Sequence, residues 1–182
     1  MSPLFQENLP IGASKVLEGP DAGPGLAVCL RTSASGRSLK VLVVKMSSLG
    51  DVIHTLPALS DAVSMKDDVR FDWVVEEAFA AIPEQHPSVE EVIPVGLRRW
   101  TRKPTGWEGI RDAFRFVRQL RRRDYDLIID AQGLIKSAVV SGFARGKVAG
   151  LDGESAREPM SQRFYHETVS VARSEHAVTR VR

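Results

Sequence analysis

The sequence predicts an α/β domain, a parallel, doubly wound sheet with helices on both faces. Three observations carry that prediction. Short runs of β-branched and leucine residues alternate with longer segments of helical spacing. The first such run, 41–44 (VLVV), has the composition of a strand buried on both faces. Two strand-to-helix turns carry a glycine, SSLGD at 47–51 and AQGLIKS at 131–137.

Residues 1–39 hold nine of the 24 glycines and prolines (14 Gly plus 10 Pro) and show no sustained periodicity, so they read as a flexible leader that packs little. After the first strand, Asp51 opens a segment in which Val52, Leu56, Leu59 and Val63 recur at helical spacing. Residues 70–75 (RFDWVV) read as a second strand, and a short helix near 77–82 ends at Pro83. A third strand at 89–95 stops at Gly96 and leads into a charged loop, 98–103. The helix expected over about 106–123 would bury Trp107, Ile110, Phe114, Val117 and Leu120 and expose Arg111, Arg115, Arg118 and Arg122. Residues 126–130 (DLIID) form a fourth strand, followed by a helix to about Arg145 and a fifth strand at 147–150. The remainder reads as irregular up to a helix start near 175–182. Right-handed crossovers would make the first and fourth strands neighbours, with the loops at 46–51, 98–103 and 132–136 on one rim.

Composition excludes several classes. A formal charge of +2 over 182 residues does not by itself point to nucleic acid. One cysteine, Cys29, cannot form an internal disulfide, which fits a reducing compartment. No apolar run approaches the roughly 18 residues of a membrane-spanning helix. His54, His86, His166 and His176 form no HExxH or close pair, so no metal site is expected. The first turn is neither GxxxxGK[ST] nor GxGxxG.

Candidate chemistry gathers at the turns. Backbone N–H groups at a helix start favour anions, and Gly50 permits close approach of a ligand. Asp51 can cap the helix or act as a base on a bound substrate. Between Arg98 and Asp124 ten Lys/Arg face three acids, a local excess of seven. Arg98, Arg99, Arg102 and Lys103 lie within six residues beside Trp100, and such cations repel one another unless anions visit. Arginine forks suit phosphate or carboxylate, each charge-assisted contact contributing about 1.5–3 kcal/mol. Lys136 sits in a first helical turn, where its charge opposes the dipole. By residue chemistry alone Arg157 reads as solvated.

Taken together, KVLVVKMSSLGDVIHTLPAL, FDWVVEEAF, EEVIPVGLRRW, YDLIIDAQGLIKSA, SAREPMSQRFY and EHAV resemble the lipopolysaccharide heptosyltransferases of glycosyltransferase family 9, in their heptosyltransferase I group, over 40–182. The resemblance implies a two-domain glycosyltransferase-B architecture, with a Rossmann-like acceptor-binding domain at 40–174 and a linking helix beginning at 175–182. The donor domain would lie beyond Arg182, leaving this chain inactive alone. It implies inverting, metal-independent transfer of heptose from ADP-heptose to the first Kdo of Kdo2-lipid A, with no cofactor. It also implies a cytoplasmic, inner-membrane-peripheral location and no nucleic-acid partner. Asp51 would be the general base. Lys45, Ser47, Ser48, Gly50, Arg98, Arg99, Arg102, Lys103, Lys136, Arg157 and His176 would bind the acceptor. The alternatives are a non-catalytic module that binds phospholipid or nucleic acid, and a related heptosyltransferase with another acceptor.

Overall fold

The computed structural model describes residues 38–102 and 107–182, with the backbone alone at 101 and 102. Six strands, β1 (Leu39–Val44), β2 (Val69–Glu76), β3 (Val89–Val95), β4 (Asp124–Asp130), β5 (Arg145–Leu151) and β6 (Glu167–Val169), form one sheet in the order β3-β2-β1-β4-β5-β6. Every neighbouring pair is parallel. This is the α/β sheet the sequence predicts, with β1 and β4 adjacent where strand order reverses. In such a sheet a crevice opens beyond the carboxyl ends of the two strands. All of the expected leader except 38 and 39 lies outside the described residues.

The parity of β1 divides the core. Val41 and Val43 face the layer of α1 (Leu49–Met65), where Val52, Ala58, Leu59 and Ala62 meet Phe71, Trp73 and Val75. Leu42 and Val44 face the opposite layer with Val74, Ile93, Ile128 and Val148. That second layer is closed by α3 (Trp107–Leu120) and α4 (Ile135–Phe143) through Phe116, Leu120 and Val140. A terminal helix, α5 (Ala177–Val181), packs on α1, and Val181 reaches the first core. At the amino ends of the strands, buried Asp72 accepts from Arg123 at 3.0 Å and from the Tyr125 hydroxyl at 2.8 Å. Burial holds Asp72 above the usual carboxylate range and pushes Tyr125 far above an ordinary phenol.

Several expectations need correction. The charged loop at 98–103 is largely a short helix, α2 (Leu97–Arg102). Leu97 and Trp100 pack against the second core, the Trp100 ring lies 5.8 Å from that of Phe116, and the Trp100 N–H closes a turn onto Gly96. The expected burial stripe of α3 holds only at its end, where Leu120 is buried and Val117 packs against the second core. Trp107, Ile110 and Phe114 are 87%, 61% and 71% exposed, whereas Phe116 and Leu120 are buried. The helix packs through Phe116, Val117 and Leu120. Helix α1 begins at Leu49, capped by Ser48, two residues before Asp51. The single helix expected near 77–82 is instead two 3₁₀ turns, Glu77–Phe79 and Pro83–Gln85, the second starting at Pro83. The segment after β5 is not irregular throughout: it holds a 3₁₀ turn, Pro159–Phe164, and the edge strand β6.

Candidate functional site

A cleft of about 110 Å³ lies beyond the carboxyl ends of β1 and β4, lined by Lys45, by residues of β4 and the turn after it, by α1, α5 and the ends of β5 and β6, and by Arg157. Lys45 continues β1 and is buried, its Nζ donating to the Ala131 carbonyl at 2.7 Å. Desolvation by burial pushes its ammonium below the ordinary lysine range. The carboxylates of Asp51 and Asp130 oppose that shift, while Arg157 and Arg180 add to it.

The turn after β1 is held from across the sheet. The Oε1 of buried Gln132 accepts from the Met46 N–H at 2.7 Å and the Ser47 N–H at 3.3 Å, and its Nε2 donates to the Ser47 hydroxyl at 3.1 Å. Gln132 is itself aimed by Asp130, which accepts from the N–H groups of Gln132 (2.9 Å) and Gly133 (3.2 Å) and from the hydroxyls of Ser137 (2.8 Å) and Tyr165 (2.7 Å). Burial raises the Asp130 carboxyl above its ordinary range, and those four donors pull the other way. Gly133 has φ +67°, a left-handed conformation that side chains avoid. Its carbonyl accepts from the Glu158 N–H at 3.1 Å, which brings the 155–158 segment, and with it Arg157, over the turn.

Asp51 occupies the third position of α1. Its carboxylate accepts from the Ser48 N–H at 3.1 Å, the reciprocal half of a capping box, and it also lines the cleft. The two readings of Asp51 are therefore compatible in space: one oxygen closes the helix start while the group faces the cavity shared with Lys45, Arg157 and Arg180.

The other expected site residues are placed unevenly. Ser47 and Ser48 form the turn, and Gly50 has open space where a Cβ would project. Lys136 is exposed in the first turn of α4 and is not among the cleft-lining residues. His176 caps α5, its Nδ1 accepting from the Val178 N–H at 3.4 Å, and its ring lies 6.1 Å from that of His54, which lines the cleft. Arg98 and Arg99 stand on α2, apart from the cleft-lining set. The Arg98 guanidinium lies over the Phe79 ring, and the Arg98 backbone N–H donates to the Glu76 carboxylate at 3.1 Å. Arg99 bridges Glu77 at 2.7 Å and Asp112 at 2.5 Å, so internal acids answer part of the repulsion expected of this cluster. Lys103 and the Arg102 side chain lie outside the described residues.

Sequence reasoning named none of four polar cleft residues, His54, Asp130, Gln132 and Arg180, as site residues. Arg180 donates to the Ser155 carbonyl at 2.7 Å, and its buried Nε has no hydrogen-bond partner among the described residues. It reaches the cleft only because α5 folds back on α1, and no local pattern signals that. Among the described residues, no group of three or more His, Cys, Asp or Glu side chains is arranged to hold a metal. No described helix is long and apolar enough to cross a membrane.

Comparison with known proteins agrees with this fold. Residues 113–182 match the family model described as glycosyltransferase family 9 (heptosyltransferase). Lipopolysaccharide heptosyltransferase 1 of Pseudomonas aeruginosa is 53% identical over 147 residues, 79% of this chain and 41% of that protein. Its counterpart in Escherichia coli K12 is 48% identical over 150 residues, 79% of this chain and 46% of that protein. The structure of E. coli heptosyltransferase WaaC with ADP superposes with a TM-score of 0.76 at 47% identity, covering 78% of this chain and 45% of that one. A family 9 glycosyltransferase from Veillonella parvula, 18% identical with a TM-score of 0.60 over 78% of this chain and 38% of that one, shares the fold. The chain spans under half the length of the curated relatives it matches. By the family model, the relatives and the solved structures alike, the chain is similar to the heptosyltransferases of glycosyltransferase family 9 over the part of them that it spans.

Proposed function

We propose that this chain is the acceptor-binding half of an inverting lipopolysaccharide heptosyltransferase, which transfers L-glycero-D-manno-heptose from ADP-heptose to the first Kdo of Kdo2-lipid A. The observation that carries the reading is the cleft at the β1–β4 switch point, where the Asp51 carboxylate faces Lys45, Arg157 and Arg180, while the second carboxylate, Asp130, is engaged by four donors of its own. An acceptor built of acidic sugars needs cations to hold it and one base to activate it. Asp51 takes the proton of the attacking Kdo hydroxyl as that oxygen bonds to the anomeric carbon of heptose, and ADP departs with the electrons of the broken bond. General-base assistance of this kind contributes typically 10²–10⁴-fold.

Lys45, Arg157 and Arg180, which line the cleft, bind the Kdo carboxylates. Ser47, Ser48 and Gly50 keep the turn narrow beside the reacting sugars. Arg98, Arg99, Arg102 and Lys103 extend the acceptor surface toward the lipid A phosphate; Arg99 exchanges Glu77 or Asp112 for that anion. Lys136 and His176 flank the acceptor. ADP-heptose is held mostly by the part of the transferase that this chain does not span, and neither a metal nor a cofactor takes part. A lipid-linked acceptor places the protein at the cytoplasmic face of the inner membrane, as a peripheral protein.

Isothermal titration of the 182-residue chain, with a Kdo2 acceptor analogue and separately with ADP-heptose, tests the reading. Heat with the acceptor and none with the donor is the expected result. Donor binding without acceptor binding overturns it.

A further inference from the structure

The exposed side of α3 has no role in the cleft, yet it is the most amphipathic surface described. Trp107, Ile110 and Phe114, spaced three and four apart, form one exposed apolar stripe. Beside it, on the same solvent side, run Arg111, Arg115 and Arg118, with Arg122 two residues past the helix end, all exposed. Arg115 pairs with Asp112 at 3.5 Å, whereas Arg111, Arg118 and Arg122 make no ion pair among the described residues. Phe116 and Leu120 fix the opposite side of the helix in the core, so the stripe cannot rotate inward. As the crossover between parallel β3 and β4, α3 runs antiparallel to the strands. Its Trp107 end therefore lies toward the rim where the cleft opens.

We propose that α3 is an interfacial docking helix whose Trp107–Ile110–Phe114 stripe enters an anionic phospholipid bilayer while the arginines beside it hold the headgroups. This deepens the membrane-peripheral placement above and rests on it, but it concerns lipid alone. Three large apolar side chains gain by leaving water, and tryptophan is suited to the headgroup boundary. Arginines a quarter-turn away lay their stems along the acyl boundary and keep their charge among phosphates. The charge identifies the occupant. A protein interface would bury few of four clustered like charges, and nucleic acid would not need the apolar stripe.

The test is co-flotation of the 182-residue chain with phosphatidylglycerol-containing vesicles and with vesicles of phosphatidylcholine alone, neither carrying Kdo sugars. Failure would leave the acceptor reading standing, and loss of Kdo binding would leave this one standing. The chain should partition onto the anionic vesicles and much less onto the neutral ones. Replacing Trp107, Ile110 and Phe114 together by serine should lower partition at least tenfold. Arg118→Glu with Arg122→Glu should lower it about fivefold or more for each arginine removed. Circular dichroism confirms that these exposed substitutions leave the fold intact. Brominated phosphatidylglycerol should quench tryptophan emission, and Trp107→Phe should keep partition while losing most of that quenching, since Trp73 is buried and Trp100 packs on Phe116. The proposal is overturned by no partition onto anionic vesicles, by partition unchanged in the serine variant, or by absence of quenching. It is equally overturned if the serine variant's only effect is loss of self-association, or if the chain binds RNA and not vesicles.

Discussion

Replacing Gln132 by methionine tests whether the site turn is held from across the sheet. Methionine preserves the length and buried volume of the side chain and removes its acceptor and donors. The Met46 N–H, bonded to Gln132 Oε1 at 2.7 Å in a buried setting, is then left without a partner. An orphaned buried donor costs about 1–3 kcal/mol. The longer, partly solvated bond from the Ser47 N–H at 3.3 Å and the 3.1 Å bond to the Ser47 hydroxyl add about 1 kcal/mol together, since water replaces part of each. The expected loss is about 2–4 kcal/mol, a large share of the 5–15 kcal/mol of a typical domain. Urea unfolding of the 182-residue chain and the variant, followed by far-ultraviolet circular dichroism, measures it directly, with an unchanged m-value showing that the unfolded state is not responsible. A loss below about 0.5 kcal/mol would refute the reasoning, because a turn that keeps its stability without those bonds is held by something else.

Three further outcomes are expected. Asp51→Ala should cost this chain about 1 kcal/mol as half of a capping box, while in a protein carrying both halves of the transferase it should lower turnover by about 10²–10⁴-fold; equal losses in stability and none in turnover would leave Asp51 a cap alone. Tyr125 keeps its proton in the folded chain well above pH 10.0, whereas the unfolded chain releases it there. Its contribution to stability is thus complete below pH 10.0 and declines as pH rises above it, by at most about 1.4 kcal/mol per pH unit; Tyr125→Phe should flatten that decline in alkaline unfolding curves, and an unchanged slope would contradict it. A Cβ on Gly150 would lie 2.4 Å from the Tyr165 ring and force it off Asp130. Gly150→Ala should therefore cost about 2 kcal/mol or more, and the cost should shrink when Tyr165 is already leucine, a coupling that a double-mutant cycle reads.

The elements legible in the sequence are those whose burial is complete. VLVV and DLIID could be placed because strands covered on both faces need no alternation, and the two glycine turns marked where each strand gave way to a helix. The start of β4 was missed because Asp124 and Tyr125 do not look like core, although Tyr125 is buried by its bond to Asp72. The strand β6 escaped because three residues, Glu-Thr-Val, carry no period. On α3 the stronger apolar stripe proved to be the exposed one, since periodicity finds a stripe without saying what covers it. The cleft followed the same division. Asp51, Lys45 and Gln132 belong to turns that sequence marks, whereas His54 and Arg180 meet only when a terminal helix returns to the first one.

The bonds that build the cleft also set when it can exist. Lys45 to Ala131 and Met46 to Gln132 each join positions 86 residues apart. Closing such a loop costs about 4 kcal/mol of chain entropy before any contact in the site repays it. Strands β1, β2 and β3 can pair in order as the chain lengthens, but the pocket has only one wall until β4 arrives. Assembly is therefore governed by a late, long-range event, the kind that slows folding of parallel sheets. A nascent chain on the ribosome passes through a stage in which Asp51 and Lys45 are already made and β1 still has one side of the sheet open. Asp130, Arg157 and Arg180 join Asp51 and Lys45 only after the central strand has been enclosed.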